Sequence, residues 1–294
     1  MIASPRLSHD LGLDVILAAE TFQYTGSFKY RAARHVVASV QQAHIITASS
    51  GNFGQALAYA CALFGKRCTV VMPAAGVQTK MDGIRYYGGT VDIVDTASVP
   101  REERVAQLAA QHPDAYIASA YDDPLVIAGN SGLGHELAAL NLGCDAIIVP
   151  VGGGGLSAGI ITGLREYGDG TPVIGAEPEM ANDAARSLRA GELASLAGEP
   201  PTIADGARVR RLGRHTWPIL RAGLADIMEA GEEQIAQAVR VLFNHANLKS
   251  EPTGALGIAA LLAQPRRFAG RRVCCVVTGG NADCDLFARI IASG

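Results

Sequence analysis

The sequence predicts an α/β fold of doubly wound open sheets, and three observations carry the prediction. Short β-branched runs alternate with alanine-rich segments of helical length, the pattern of βαβ units and mostly parallel sheet. The runs are near-continuously apolar, as suits strands covered on both faces. Glycine accounts for 34 of 294 residues, well above the norm of about 7%. It clusters in the turns "GNFG", "YYGGT", "VGGGGLSAG" and "VTGGN".

In chain order, strands are expected at "DVILAA", "HIITAS", "CTVVMP", "VDIV", "DAIIVPV", "PVIGAE" and "VCCVVT". Helices are expected over 27–42, 53–65, 101–111, 124–140, 156–167, 232–246 and 253–262. Seven or eight such strands form one sheet or two. Either way, ligands belong at strand carboxyl ends beside helix N-termini. No internal repeat or low-complexity linker marks a boundary.

Hydrophobic residues make up 49% of the chain, charged residues 18%, and the net charge is −3. Without a lysine/arginine run, this argues against nucleic-acid or membrane-surface binding. The start "MIASPRLSHD" lacks a signal-peptide core, and no apolar run reaches the roughly 18 residues of a membrane span. A cytoplasmic protein is expected. None of the six cysteines pair at C-x-x-C spacing, so zinc is not expected; buried, reduced thiols are.

Four stretches carry candidate chemistry. In "IIVPVGGGGLSAGI" an apolar strand runs into Gly152, Gly153, Gly154 and Gly155 and then a helix. Bare glycines allow close backbone approach, and the helix presents free N–H groups and its positive dipole end, which makes a phosphate cup. It is neither a P-loop nor a G-x-G-x-x-G turn; the plain alternative is a tightly packed strand-to-helix turn. In "TASSGNFGQ", Ser49, Ser50 and Asn52 crowd one turn, suited to a carboxylate or ring oxygen, or simply to an N-cap. "VVTGGNAD" ends a strand at Thr278 and is either a turn or a site. "TGSFKYR" places Lys29, one of four lysines, between aromatics near a helix start, where the dipole opposes it. It is either a solvated lysine with its stem on the rings or a desolvated amine nucleophile. A phosphate cup, a carboxylate-sized loop and such a lysine together suggest pyridoxal phosphate.

From "SPRLSHDLGLDVILAAE" onward, the chain resembles the tryptophan-synthase-β-like (fold type II) pyridoxal-phosphate enzymes, serine/threonine dehydratase and serine racemase branch. "TGSFKYRAA", "SSGNFGQALAYA", "VGGGGLSAGI", "EPEMANDA", "TIADGARV", "EPTGALGIAAL" and "TGGN" stand in family order. The resemblance implies two doubly wound open-sheet domains with the cofactor in the cleft between them, residues 1–43 and 122–294 forming the large domain and 44–121 the small one. It implies that Lys29 carries the Schiff base to pyridoxal 5'-phosphate with Phe28 against the ring. Asn52 holds the phenolic oxygen, Gly152 to Gly155 with Leu156 cradle the phosphate, and Thr278 faces the pyridine nitrogen. Ser49, Ser50, Asn52 and the Phe53 backbone hold the substrate carboxylate. Glu177, the Ala181 carbonyl and Asp183 form a site for magnesium, manganese or calcium, whose ligands are oxygens. A homodimer is implied as well.

The implied reaction is elimination of water from a β-hydroxy amino acid such as serine or threonine, giving a 2-oxo acid and ammonia, with Lys29 taking the Cα proton. Racemisation would use Ser50 as a second acid/base. Phe53 in place of a usual histidine, Ala32 in place of a glycine and "AGNSGLGHE" leave the substrate open. The rival readings are an amino-acid racemase (serine or aspartate type), a β-replacement synthase of the cysteine/threonine synthase type, a binding module without chemistry, and a specialised lyase for an acidic or secondary-metabolite amino acid.

Overall fold

The computed structural model describes residues 1–49, 51–74 and 78–293. The strands are β1 (Ile2–Ala3), β2 (Asp14–Ala19), β3 (His44–Ala48), β4 (Arg67–Pro73), β5 (Thr90–Val94), β6 (Tyr116–Ala118), β7 (Ala146–Pro150), β8 (Val173–Pro178), β9 (Leu224–Ala230) and β10 (Arg272–Val277). They form a six-stranded sheet, β1-β2-β10-β7-β8-β9, and a four-stranded sheet, β5-β4-β3-β6. Every pairing is parallel except β1 against β2.

The helices between them are α1 (Pro5–Leu11), α2 (Lys29–Ser39), α3 (Asn52–Leu63), α4 (Gln78–Tyr86), α5 (Arg101–Gln111), α6 (Pro124–Leu140), α7 (Gly155–Tyr167), α8 (Asp183–Ala190), α9 (Thr216–Gly223), α10 (Glu232–Ala246), α11 (Leu256–Ala263) and α12 (Cys284–Ala292). Each sheet is covered on both faces. One face of the larger sheet packs with α10 and α11, the other with α6, α7 and α9. The smaller sheet has α3 with α2 on one side, and α5 on the other. Although α2 precedes the smaller sheet in sequence, its Tyr30, Ala32, Ala33, Val36 and Val37 share a core with Ile45, Val70 and Leu57.

The strand orders locate the crevices. In the smaller sheet β3, β4 and β5 step one way and β6 lies on the other side of β3. In the larger sheet β7, β8 and β9 step one way and β10 lies on the other side of β7. Open α/β sheets bind ligands where the order reverses, outside the strand carboxyl ends. Those ends at β3, β6, β7 and β10 carry Ser49, Ser119, Gly152 and Thr278.

All seven expected strands form. Sequence patterning does not reveal β1 and β6, of two and three residues, or β9, whose "LADIMEA" mixes acidic with apolar residues. Nor does it reveal α4, whose "QTKMDGIRY" has too few apolar residues for a clear helical stripe. The helix expected from residue 27 begins at Lys29, because Ser27 forms a β-bridge with Gly279. The cysteines are free, and Cys61, Cys68, Cys274 and Cys275 are buried; Cys284, on the terminal helix, is exposed, contrary to expectation. Among the described residues, no helix is long and apolar enough to cross a membrane.

Candidate active site

Lys29 is the first residue of α2, and its backbone is fixed from both sides. Phe28 N–H donates to the Thr278 carbonyl at 3.0 Å. The Arg31 guanidinium donates to both oxygens of Glu20 (2.7 and 2.9 Å) and both of Glu136 (2.7 and 2.7 Å), pinning the first turn between two carboxylates. The Lys29 amine donates to the Ala120 carbonyl at 2.8 Å. It lies 5.0 Å from the Phe28 ring centroid and 5.8 Å from that of Phe53. Burial among these groups lowers its pKa from 10.5 to about 8, against the opposing pull of Glu251. A substantial fraction is therefore neutral near physiological pH, as a nucleophile or base requires.

The glycine loop after β7 is an anion cup by its hydrogen-bond pattern. Its carbonyls are engaged: Gly153 O accepts from Gly213 N–H (3.1 Å) and the Thr216 hydroxyl (2.9 Å), Gly154 O from Ala158 N–H (2.9 Å), and Gly155 O from the Asn130 amide (3.1 Å). The N–H groups of residues 152–156 have no acceptor among the described residues. They stand at the N-terminus of the thirteen-residue α7, where the dipole favours a dianion. Two glycines are sterically required. Gly154 has φ +89°, and a Cβ on Gly153 would lie 2.1 to 2.4 Å from the Tyr121 ring.

Across the cleft, Ser49 caps the loop before α3: its hydroxyl accepts from Gly51 N–H and Gly54 N–H, both at 3.1 Å. The N–H groups of Asn52 and Phe53 have no acceptor among the described residues, which leaves a carboxylate-sized donor pair at a helix N-terminus. Ser50, the candidate second acid/base, lies outside the described residues. The Asn52 amide donates to Glu251 Oε1 at 2.7 Å and accepts from the Asn281 amide at 3.0 Å.

Phe28, Lys29, Ser49, Asn52, Phe53, Gly152 to Gly155, Leu156 and Thr278 all line one cleft of about 1060 Å³. It sits between the carboxyl ends of the two sheets. Tyr121, Lys80, Asp205, Glu251 and four arginines, Arg101, Arg208, Arg210 and Arg211, line it too. Sequence reasoning gave none of these a role. Glu251 opens the quoted "EPTG", and Asp205 lies in "TIADG", so a signal existed for both. The arginines come from two segments that only folding brings together.

The candidate metal ligands lie apart, between the end of β8 and the start of α8. Glu177 and Asp183 are each 1% exposed and Ala181 is 2% exposed, so this is not a solvated loop. Glu177 accepts from Ala184 N–H (3.3 Å) and Ala185 N–H (2.7 Å). Asp183 Oδ2 has no donor. Burial, with the neighbouring Asp183 charge, pushes Glu177 up to about 9, and burial pushes Asp183 to about 7. A hard cation would satisfy both carboxylates and the orphaned oxygen.

The model of the family described as "Pyridoxal-phosphate dependent enzyme" matches residues 1–279. The chain belongs to that family. The cup of free N–H groups, the desolvated lysine and the close backbone approach that Gly153 and Gly154 allow all fit the cofactor. This pyridoxal-phosphate enzyme is 35% identical over 295 residues to an L-threo-3-hydroxyaspartate ammonia-lyase of Pseudomonas sp, covering 99% of this chain and 92% of the relative. Among solved structures it is similar to a threonine deaminase of T.th. (TM-score 0.91, 38% identity, 96% of this chain and 92% of the other). It is also similar to the serine racemase of Dictyostelium discoideum (TM-score 0.87, 32% identity, 96% and 92%). The protein is thus a pyridoxal-phosphate enzyme of the group that holds β-hydroxy amino acid ammonia-lyases and serine racemases.

Proposed function

We propose that this enzyme eliminates water from a β-hydroxy amino acid, releasing ammonia and a 2-oxo acid, and that its substrates include one with a second carboxylate, as in 3-hydroxyaspartate. The observation that carries the first part is the single cleft holding a desolvated Lys29 amine between a free N–H cup and a carboxylate-sized loop. The second part is supported by the ammonia-lyase relative and by the four arginines of the cleft.

When bound, pyridoxal phosphate supplies an electron sink that acidifies the substrate Cα–H. Gly152 to Gly155 and Leu156 would hold its phosphate, Phe28 its ring face, Asn52 its phenolic oxygen and Thr278 its pyridine nitrogen. The Asn52 and Phe53 N–H groups and the Ser49 hydroxyl hold the substrate's α-carboxylate at the start of α3. Lys29 Nζ, neutral in part because burial disfavours its charge, takes the Cα proton as a general base. Thr278 presents a hydroxyl and no acid proton to the ring. This favours loss of the β-substituent over storage of charge on the ring. Tyr121 and the cleft walls exclude water.

Glu177, the Ala181 carbonyl and Asp183 would hold a magnesium, manganese or calcium ion that stabilises the turn from β8 into α8. Residues 1–43 with 122–294 act as the larger body and 44–121 as the smaller, and two chains form a homodimer. A second reading, racemisation, is favoured by the 32% identity to a serine racemase and needs Ser50 to return a proton on the opposite face.

The deciding experiment incubates the purified yellow protein with L-serine, L-threonine and 3-hydroxyaspartate stereoisomers, scoring ammonia, 2-oxo acid and enantiomer exchange. Ammonia and oxo acid in equal amounts from at least one substrate is the expected outcome. Enantiomer exchange alone would replace elimination with the second reading, and no turnover of any substrate would sink both.

A further inference from the structure

Lys80, on α4 of the smaller sheet, is 4% exposed, which is rare for a lysine. Its amine lies 2.5 Å from Asp205 Oδ2 and 3.9 Å from Glu251 Oε2, both on segments of the larger sheet. Its stem crosses the loop before α3: a Cβ built on Gly51 would stand 2.0 Å from Lys80 Cδ. Glu251, 3% exposed, accepts the Asn52 amide at 2.7 Å through Oε1. Asn52 in turn accepts from the Asn281 amide at 3.0 Å, and that amide also donates to the Thr25 carbonyl at 2.8 Å. A polar chain therefore runs from one sheet to the other through the residue assigned to the cofactor's phenolic oxygen.

The chain depends on Glu251 being ionised. Its Oε2 has no hydrogen-bond donor, and a buried carboxylate with a single donor on its other oxygen is held ionised chiefly by a nearby cation. Burial raises Glu251 from 4.5 to about 7, and the largest opposing influence is Lys80. The charged groups facing Glu251 are Lys80 from α4, Lys29 from α2 and Asp205 from the "TIADG" turn, with Arg208 facing Lys80 beyond Asp205. Lys29 is itself partly neutral, so Lys80 is the dependable cation. A neutral Glu251 would accept more weakly, and the Asn52 amide would lose the partner that sets which of its ends faces the ring oxygen.

We propose that Lys80 is a positioning residue for the cofactor: by neutralising Glu251 and Asp205 across the cleft, it keeps Glu251 as the charged acceptor that orients the Asn52 amide. The proposal rests on the reading of Asn52 given above. Lys80 touches neither cofactor nor substrate in this role. Its effect is on the ring's hydrogen-bonding and on how firmly the two sheets hold the cofactor.

The test follows the holoenzyme's visible absorption and its pyridoxal-phosphate dissociation constant as pH is varied, so it needs no turnover. In the unaltered protein a spectral transition is expected near the Glu251 titration at about 7. Lys80→Met should move that midpoint up by about one pH unit and weaken cofactor binding about fivefold at neutral pH, as the ionised fraction of Glu251 falls from about a half to about a tenth. Lys80→Arg should keep the midpoint, and Lys80→Met/Glu251→Gln should abolish the transition while cofactor binding stays weak. An unmoved midpoint in Lys80→Met, or a transition that survives in the double variant, overturns the proposal. Should Lys80→Met fail to fold, Lys80→Gln decides on the same readouts: a raised midpoint with weaker cofactor binding supports the proposal, and an unmoved midpoint overturns it. A protein that titrates as expected yet releases no ammonia from any hydroxy amino acid defeats the functional reading and leaves the role of Lys80 standing.

Discussion

The Lys29 amine donates a 2.8 Å hydrogen bond to the Ala120 carbonyl, joining the start of α2 to the loop after β6. This bond holds the amine in a setting where burial lowers its pKa to about 8. Cofactor capture by the apoprotein should therefore rise with pH and level off above about 8, not above 10.5, because only the neutral amine attacks a carbonyl. Stopped-flow absorbance after adding pyridoxal phosphate reads this directly. The same shift predicts that the stability cost of burying Lys29 in the apoprotein is lifted as pH rises from about 8 to 10.5, since the unfolded chain then binds more protons than the native one. Lys29→Ala should lose the covalent chromophore and about a thousandfold or more in kcat. Unchanged turnover in that variant would remove Lys29 from the chemistry.

Gly153→Ala should damage the cup specifically. The added methyl would meet the Tyr121 ring at 2.1 to 2.4 Å, and overpacking of this kind costs about 1–3 kcal/mol. Cofactor affinity should fall by roughly five- to a hundredfold on that scale. Gly153→Ala/Tyr121→Ala, which removes the obstruction, should recover part of the loss. Gly170→Ala, at a surface position with nothing within 4 Å of the added Cβ, serves as the control. Equal affinity in all three, measured by fluorescence titration, would mean the cup lies elsewhere.

The sheet strands and the glycine cup were legible in the sequence because their signals are local. An apolar run into four glycines and a helix predicts its own geometry, and "VCCVVTGG" does the same at β10. The edge strand β9 and the short β6 were not legible: three residues carry no periodicity, and an exposed edge tolerates Asp226 and Glu229. Asn52 and Thr278 were legible through motif order. The partners that set their behaviour were not. Lys80 meets Asp205 across 125 residues and Asn52 meets Glu251 across 199, contacts that no local pattern specifies.

The burial of Glu177 and Asp183 leads to a cation test. Two carboxylates 1% exposed, one oxygen without a donor, and a neighbouring residue 2% exposed make a buried oxygen cluster in which a cation could replace the protons that burial otherwise favours. A ligand that binds only the folded state stabilises it by about 2.7 kcal/mol at a hundred times its dissociation constant. Magnesium, manganese or calcium chloride at millimolar levels should raise the melting temperature, and EDTA should reverse the rise. Glu177→Gln and Asp183→Asn should each erase it. An equal rise in these variants would assign the effect to ionic strength.

The arginines make the sharpest claim about substrate. Arg208 and Arg211 are exposed to the cleft on one short segment. Arg208 Nε donates to the Thr202 carbonyl at 2.7 Å, and Arg211 has no carboxylate partner among the described residues. Both guanidinium groups are therefore available to a substrate anion in the cleft that Asn52 and Phe53 also line. A charge-assisted hydrogen bond is worth about 1.5–3 kcal/mol, so each lost contact should raise KM roughly ten- to a hundredfold. Arg208→Gln and Arg211→Gln should show that rise for 3-hydroxyaspartate with kcat little changed, because the lost contact is the same in ground and transition states. L-Serine, which has no second carboxylate, should keep its KM in both variants. If serine and 3-hydroxyaspartate lose affinity together, the segment is structural. If neither changes, the second carboxylate is held by another wall of the cleft, and Arg101, at the start of α5, becomes the next residue to substitute.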